Sequence, residues 1–195
     1  MIEPPSPSSD SPWLVSEDRR TLLEVTHDSI GHGLRFGRPL PVDPSQYAPA
    51  LQVNGATFVT LKIDGQLRGC IGGLVAVRPL VADVAEHAYG AAFRDQRFAP
   101  VTPAEREYLA IQLSLLSAAQ PMRFENEQHL IAQLRPGVDG LILENRTQRG
   151  TFLPAVWAQL PQPQQFLDHL KRKAGLDGPD LSGVKVSRYT VWTIS

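Results

Sequence analysis

The segment GQLRGCIGG, Gly65 to Gly73, holds the only cysteine of the chain, Cys70, two residues after Arg68. A thiol becomes a nucleophile when its thiolate is stabilised, and a guanidinium on the same face of a strand supplies the positive field for that. Glycines on both sides would let a substrate approach the backbone closely. Cys70 is therefore the candidate catalytic residue. The competing reading is that a lone cysteine is a small buried hydrophobe. A Cys70–His87 dyad is the natural extension, provided the fold returns the histidine to the thiol.

A second cluster is Arg94, Asp95 and Arg97 in FRDQRF. An aspartate between two arginines is either an anion clamp held rigid by its own carboxylate or a structural ion pair that ties a loop down. GCIGG ahead of a helical segment invites an anion cradle. It lacks the Lys-Ser/Thr of a P-loop and the glycine spacing of a dinucleotide site. Trp157 in GTFLPAVW is core or the wall of a pocket. No Ser-His-Asp set or paired-carboxylate spacing stands out. One cysteine excludes an internal disulfide and a thiolate-rich zinc site, and the five histidines show no ligand spacing. No cofactor and no metal are expected.

With 195 residues, 42% hydrophobic, 20% charged and a net charge of −1, the chain has the composition of one ordinary globular domain. Near-neutral charge gives no general pull toward nucleic acid, and no reader motif is present. The opening MIEPPSPSSDSP has neither the basic start nor the apolar stretch of an export signal, and no apolar run is long enough for a membrane span. The expectation is a mobile tail over 1–13, a single domain over 14–195, and a cytoplasmic setting.

The elements that must position these residues follow from pattern. Ser16 is expected to cap a helix whose face is Leu22, Leu23, Thr26 and Ile30, ended by the Gly and Pro of GHGLRFGRPLP. VRPLVADVAEHAYGAAF reads as a helix opening at Pro79, with Leu80, Val84, Ala88 and Ala91 on one side. TPAE, Thr102 to Glu105, fits a capping box ahead of the strand LAIQLSLLS. NEQHLIAQL and PQQFLDHLKRKAG read as helices, GLILEN and GTFLP as strands. Lys171-Arg172-Lys173 fits the solvated end of a helix. VKVSRYTVWTI reads as one terminal strand whose alternation breaks near Arg188. Together these imply an α+β fold with a largely antiparallel sheet.

The hairpin ATFVTLKIDGQLRGCIGG decides where Cys70 points. Asp-Gly favours a two-residue loop, but unbroken pairing from it sets Leu61 against Arg68 and Val59 against Cys70. A three-residue loop, Ile63 to Gly65 with a left-handed Gly65, sets Leu61 opposite Leu67, Val59 opposite Gly69, Thr60 opposite Arg68 and Phe58 opposite Cys70. That register is expected, with Arg68 and Cys70 sharing the face away from Val59, Leu61 and Leu67.

LRGCIGG, AYGAAFRDQRFAPVTPAE, GLILE with RGTFLPAVW, and FLDHLKRKAGL, in this order, closely resemble the AMME-syndrome candidate protein family. Its bacterial and archaeal members are called AmmeMemoRadiSam system protein A. The match runs from about Leu14 to the last strand, and Leu67 to Gly72 is the family signature. The resemblance implies two unequal, interlocked lobes, each built around antiparallel strands, with the signature near the groove between them. Carried over by position, the motif residues are Arg68, Gly69, Cys70 and Gly72, then Asp95, Arg97 and Phe98, then Leu153, Pro154 and Lys173. Arg68, Gly69, Gly72, Asp95, Arg97 and Lys173 are thus the candidates for holding a small anionic ligand. Gln96 stands where the family usually has proline, and Ala155 where it often has glutamine. The family name implies a Memo-like protein and a radical S-adenosylmethionine protein as partners, without supplying a reaction. Two functions follow: a binding or accessory component, or a small-molecule enzyme with a Cys/Arg-lined groove.

Overall fold

Apolar residues at helical spacing build the first element, Ser16–Phe36 (α1), in which Leu22, Val25, Thr26 and Ile30 are buried. Val15, not Ser16, is its N-cap, and no side chain closes that end. The helix runs through Gly31 and Gly33, where it was expected to stop, and ends at Gly37, whose φ of 67° leaves the helical region. Packing explains the difference: a Cβ on Gly33 would overlap the rings of Phe93 and Tyr89. The glycine is there to let a neighbouring helix come close.

The computed structural model describes residues 14–176, 178 and 181–195, so the tail expected over 1–13 lies outside the described residues. Further along come Pro49–Gln52 (α2), Asn54–Ile63 (β1), Gln66–Gly72 (β2), Arg78–Pro79 (β3), Leu80–Phe93 (α3) and Ala110–Leu116 (β4). After these follow Gln120–Pro121 (β5), Glu127–Ala132 (α4), Gly140–Glu144 (β6), Arg149–Phe152 (β7), Pro163–Ala174 (α5), Lys185–Tyr189 (β8) and Val191–Ile194 (β9). The described chain divides into two compact units, 14–116 with 192–195, and 117–191.

In the first unit the sheet order is β2-β1-β4-β9, with β3 added against β1. The β1–β2 and β1–β4 pairs are antiparallel. Its core joins Leu22 and Ile30 of α1, Leu80, Val84, Ala88 and Ala91 of α3, Val59 and Leu61 of β1, and Leu113 and Leu115 of β4. The alternation of β1 sends Thr57, Val59 and Leu61 inward and leaves Phe58, Thr60 and Lys62 partly covered on the other face.

In the second unit the order is β5-β8-β6-β7. Leu141 and Leu143 of β6 pack with Phe166, Leu167 and Leu170 of α5. Trp157 stacks on Phe166 with ring centres 3.8 Å apart, and its Nε1 donates to the Asp139 carbonyl at 2.7 Å. Helices with antiparallel sheets make the fold α+β, as the patterns imply.

Two further expectations change. The basic run of α5 is not simply solvated: Lys171 is buried and pairs with Glu127 at 2.8 Å, and Lys173 donates to the Thr151 carbonyl at 3.0 Å. The terminal strand is two strands. The chain leaves one sheet after Tyr189, and Thr190 exchanges backbone and side-chain bonds with Ser117 before β9 joins the other sheet.

Candidate functional site

Asp64 and Gly65 both take positive φ, 50° and 76°, so the β1–β2 hairpin turns on two residues after all. Ile63 pairs with Gln66 and Lys62 with Leu67; the register then shifts, and Leu61 pairs with Gly69, Thr60 with Cys70, Val59 with Ile71 and Phe58 with Gly72. The expected three-residue register is therefore wrong. Both readings of the sequence assumed unbroken pairing beyond the turn. The ladder instead takes up one extra residue at Arg68, which restores the match of Val59 and Leu61 to Ile71 and Gly69. Leu67 loses its expected inward place: opposite Lys62, it is 41% exposed.

The bulge gives Arg68 no cross-strand partner, and its side chain is taken up elsewhere. Its Nε and Nη2 donate to the two carboxylate oxygens of Glu105 at 2.8 and 3.2 Å. Nη1 donates to the Ala99 carbonyl at 2.8 Å and Nη2 to that of Pro100 at 3.3 Å. Only 16% of the side chain is exposed. Glu105 meanwhile receives the Thr102 N–H at 2.8 Å, the back-bond of the expected capping box. Arg68, then Thr102, hold its carboxyl down to about 2. TPAE signalled the cap, but nothing in the sequence paired Glu105 with Arg68.

β2 is an edge strand, and the loop after α3 finishes its edge. Asp95 accepts the Cys70 N–H on Oδ2 at 2.8 Å, and Arg97 donates through Nη2 to the Cys70 carbonyl at 3.4 Å. The two side chains also bind each other, Arg97 Nη2 to Asp95 Oδ2 at 2.7 Å and Nε to Oδ1 at 2.9 Å. One ion pair thus occupies the donor and acceptor that another strand would use. Asp95 is 5% exposed while Arg97 remains 58% exposed. The Arg97 guanidinium, with the Cys70 N–H, holds the Asp95 carboxyl well below the usual carboxylate range. The third residue of the cluster, Arg94, pairs with Glu86 and lies over the Tyr89 ring.

The Cys70 thiol is partly covered and accepts the Thr60 hydroxyl at 3.3 Å. His87 lies on the other side of the sheet: its Nδ1 is 3.0 Å from the hydroxyl of Thr57, which faces α3, whereas Thr60 and Cys70 face away. The Cys70–His87 dyad does not form.

The signature glycines serve packing. A Cβ on Gly69 would overlap the Ala91 carbonyl oxygen of α3, and one on Gly72 would overlap the Phe58 ring and the Thr57 carbonyl. Lys173 belongs to the second unit, where it lies 5.1 Å from the Phe152 ring centre. The Asp83, His87, Thr57 and Arg78 group on α3, β1 and β3 went unread. The i,i+4 spacing of Asp83 and His87 was the available signal. Among the described residues no cluster of His, Cys, Asp and Glu could hold a metal ion, and no helix is long and apolar enough to cross a membrane.

A solved structure of an uncharacterised protein from Pyrococcus horikoshii superposes with a TM-score of 0.73 at 28% identity, covering 88% of each chain. A relative from Methanothermobacter thermautotrophicus is 35% identical over 84% of this chain and 85% of its own length. One from Thermotoga maritima is 32% identical over 83% and 90%. The AMMECR1 family model matches residues 23–194, a span that takes in the bulged hairpin, the loop that finishes its edge and both sheets. The chain belongs to the AMMECR1 family.

Proposed function

We propose that this chain is a binding or accessory component, working in the cytoplasm with a Memo-like protein and a radical S-adenosylmethionine protein, and that its signature is scaffold. The observation that carries this reading is the inward commitment of Arg68, whose donors go to Glu105, Ala99 and Pro100. A guanidinium so occupied has little left for a ligand. The single free cysteine accords with a reducing compartment. The test is capture of the two named partners by the full chain from a cell that makes all three. Capture that survives Cys70→Ser supports scaffolding. Failure to capture either partner ends the reading.

A second reading rests on the half-exposed Arg97 beside a partly covered Cys70. Here Cys70 acts in a small-molecule reaction, with Arg97 steering an anionic substrate held near Arg68, Gly69, Gly72 and Asp95. Alkylation of the folded chain by a small electrophile decides it. A thiol that reacts only after unfolding removes this reading.

A further inference from the structure

The proton between His87 and its partners can be placed by elimination. Thr57 has one hydroxyl hydrogen, and it is donated to Asp83 Oδ2 at 2.7 Å. A carboxylate only accepts. His87 Nδ1 lies 3.0 Å from the Thr57 oxygen and 3.1 Å from Asp83 Oδ2. The hydrogen in that contact therefore belongs to Nδ1, and the neutral ring carries a bare lone pair on Nε2. The imidazole is 10% exposed and Asp83 2% exposed, so the tautomer is fixed from the protein side. Among the described residues Nε2 has no hydrogen-bond partner.

A cation stands on the other side of the same carboxylate. Arg78 approaches Asp83 Oδ1 through Nε at 3.1 Å, yet that buried Nε makes no aligned hydrogen bond. The guanidinium is partly exposed, and no bond from its terminal nitrogens reaches a described residue. The chain leaves β2 at Gly72 and rejoins β1 where Arg78 pairs with Gly55, so residues 73–77 bridge past the histidine. At the start of that bridge a Cβ on Gly73 would stand 3.5 Å from His87 Cε1 and 3.8 Å from Nε2. Glycine leaves that position beside the ring without a side chain.

We propose that His87 Nε2 and the Arg78 guanidinium form a binding site for a small oxyanion that bears a hydrogen. The ligand's O–H donates to Nε2 and its anionic oxygens accept from Arg78, while Asp83 and Thr57 hold a ring proton on Nδ1. A monohydrogen phosphate group has both features. A histidine that merely fills the core would need neither the bare backbone at Gly73 beside its ring nor a cation with idle donors.

The test uses the full chain with histidine rings labelled with nitrogen-15, titrated with inorganic phosphate. Expected are a free-state His87 protonated on Nδ1 alone and a saturable shift confined to its Nε2. Arg78→Gln should weaken the half-saturation point at least about tenfold. Gly73→Ala, whose added methyl makes only ordinary contacts, should weaken it in the same direction and keeps the test decisive should Arg78→Gln misfold. A free-state hydrogen on Nε2 overturns the proposal. So does a His87 signal that phosphate leaves unmoved, or a shift unchanged by both substitutions. None of these readouts involves the protein partners, so this site and the accessory role stand or fall separately.

Discussion

Asp95 holds the backbone N–H of Cys70 at 2.8 Å while its ion-pair partner Arg97 reaches the Cys70 carbonyl. The signature cysteine is thus gripped by its peptide group, with its sulfur left to Thr60. Replacing Asp95 by Ala should cost about 1–2 kcal/mol, because a partly covered N–H loses a charged acceptor. Urea unfolding measures the loss. Amide exchange at Cys70 should accelerate more than at Val59, which lies inside the sheet.

Arg68 and Glu105 should behave as one unit. Either single truncation leaves a mostly covered charge without its partner, at about 1.5–3 kcal/mol. A double-mutant cycle of Arg68→Ala and Glu105→Ala should show coupling of about 1–2 kcal/mol. Additive losses would mean that the pair contributes nothing of its own. Arg68→Lys should recover little, since one ammonium cannot span both carboxylate oxygens and two carbonyls.

Acid should weaken the fold through the same carboxylates. The Glu105 carboxyl is held near 2 against an ordinary value of 4.5, chiefly by Arg68. Its folded value is the lower one, so its contribution is whole above about 4.5 and fades as pH drops toward 2. Asp95 is lowered too and adds to the decline in the same sense. The urea midpoint should fall across this window, and Glu105→Gln should flatten the fall.

The three glycines of the signature region should separate sharply on alanine substitution. At Gly69 and Gly72 the new methyl meets backbone oxygen atoms that cannot swing aside, so losses of about 3 kcal/mol or more, or insoluble protein, are expected. Gly73→Ala meets only ordinary contacts and should stay within about 0.5 kcal/mol of the parent. Thermal melts of the three variants give the ranking.

Much of the architecture was legible because its signals are local. The faces of α1 and α3, the Thr102–Glu105 cap and the two-strand pattern around Asn145 all follow from spacing within one element. What was missed depends on partners distant in the chain. Gly33 looks like a helix stop until Phe93 and Tyr89 are placed beside it. Arg68 and Cys70 look like a reactive pair until the bulge hands one to Glu105 and the Asp95–Arg97 loop takes the backbone of the other. Lys171 looks like a solvated tail until Glu127 meets it. A helical or strand period says which face is inward, but nothing about which distant charge waits there.

The crossing at Thr190 bears on how the molecule is made. Because β9 borders β4, the sheet begun by residue 54 waits for residues 191–194 to leave the ribosome before that border is covered. Until then β4 offers an unpaired rim to any other nascent chain.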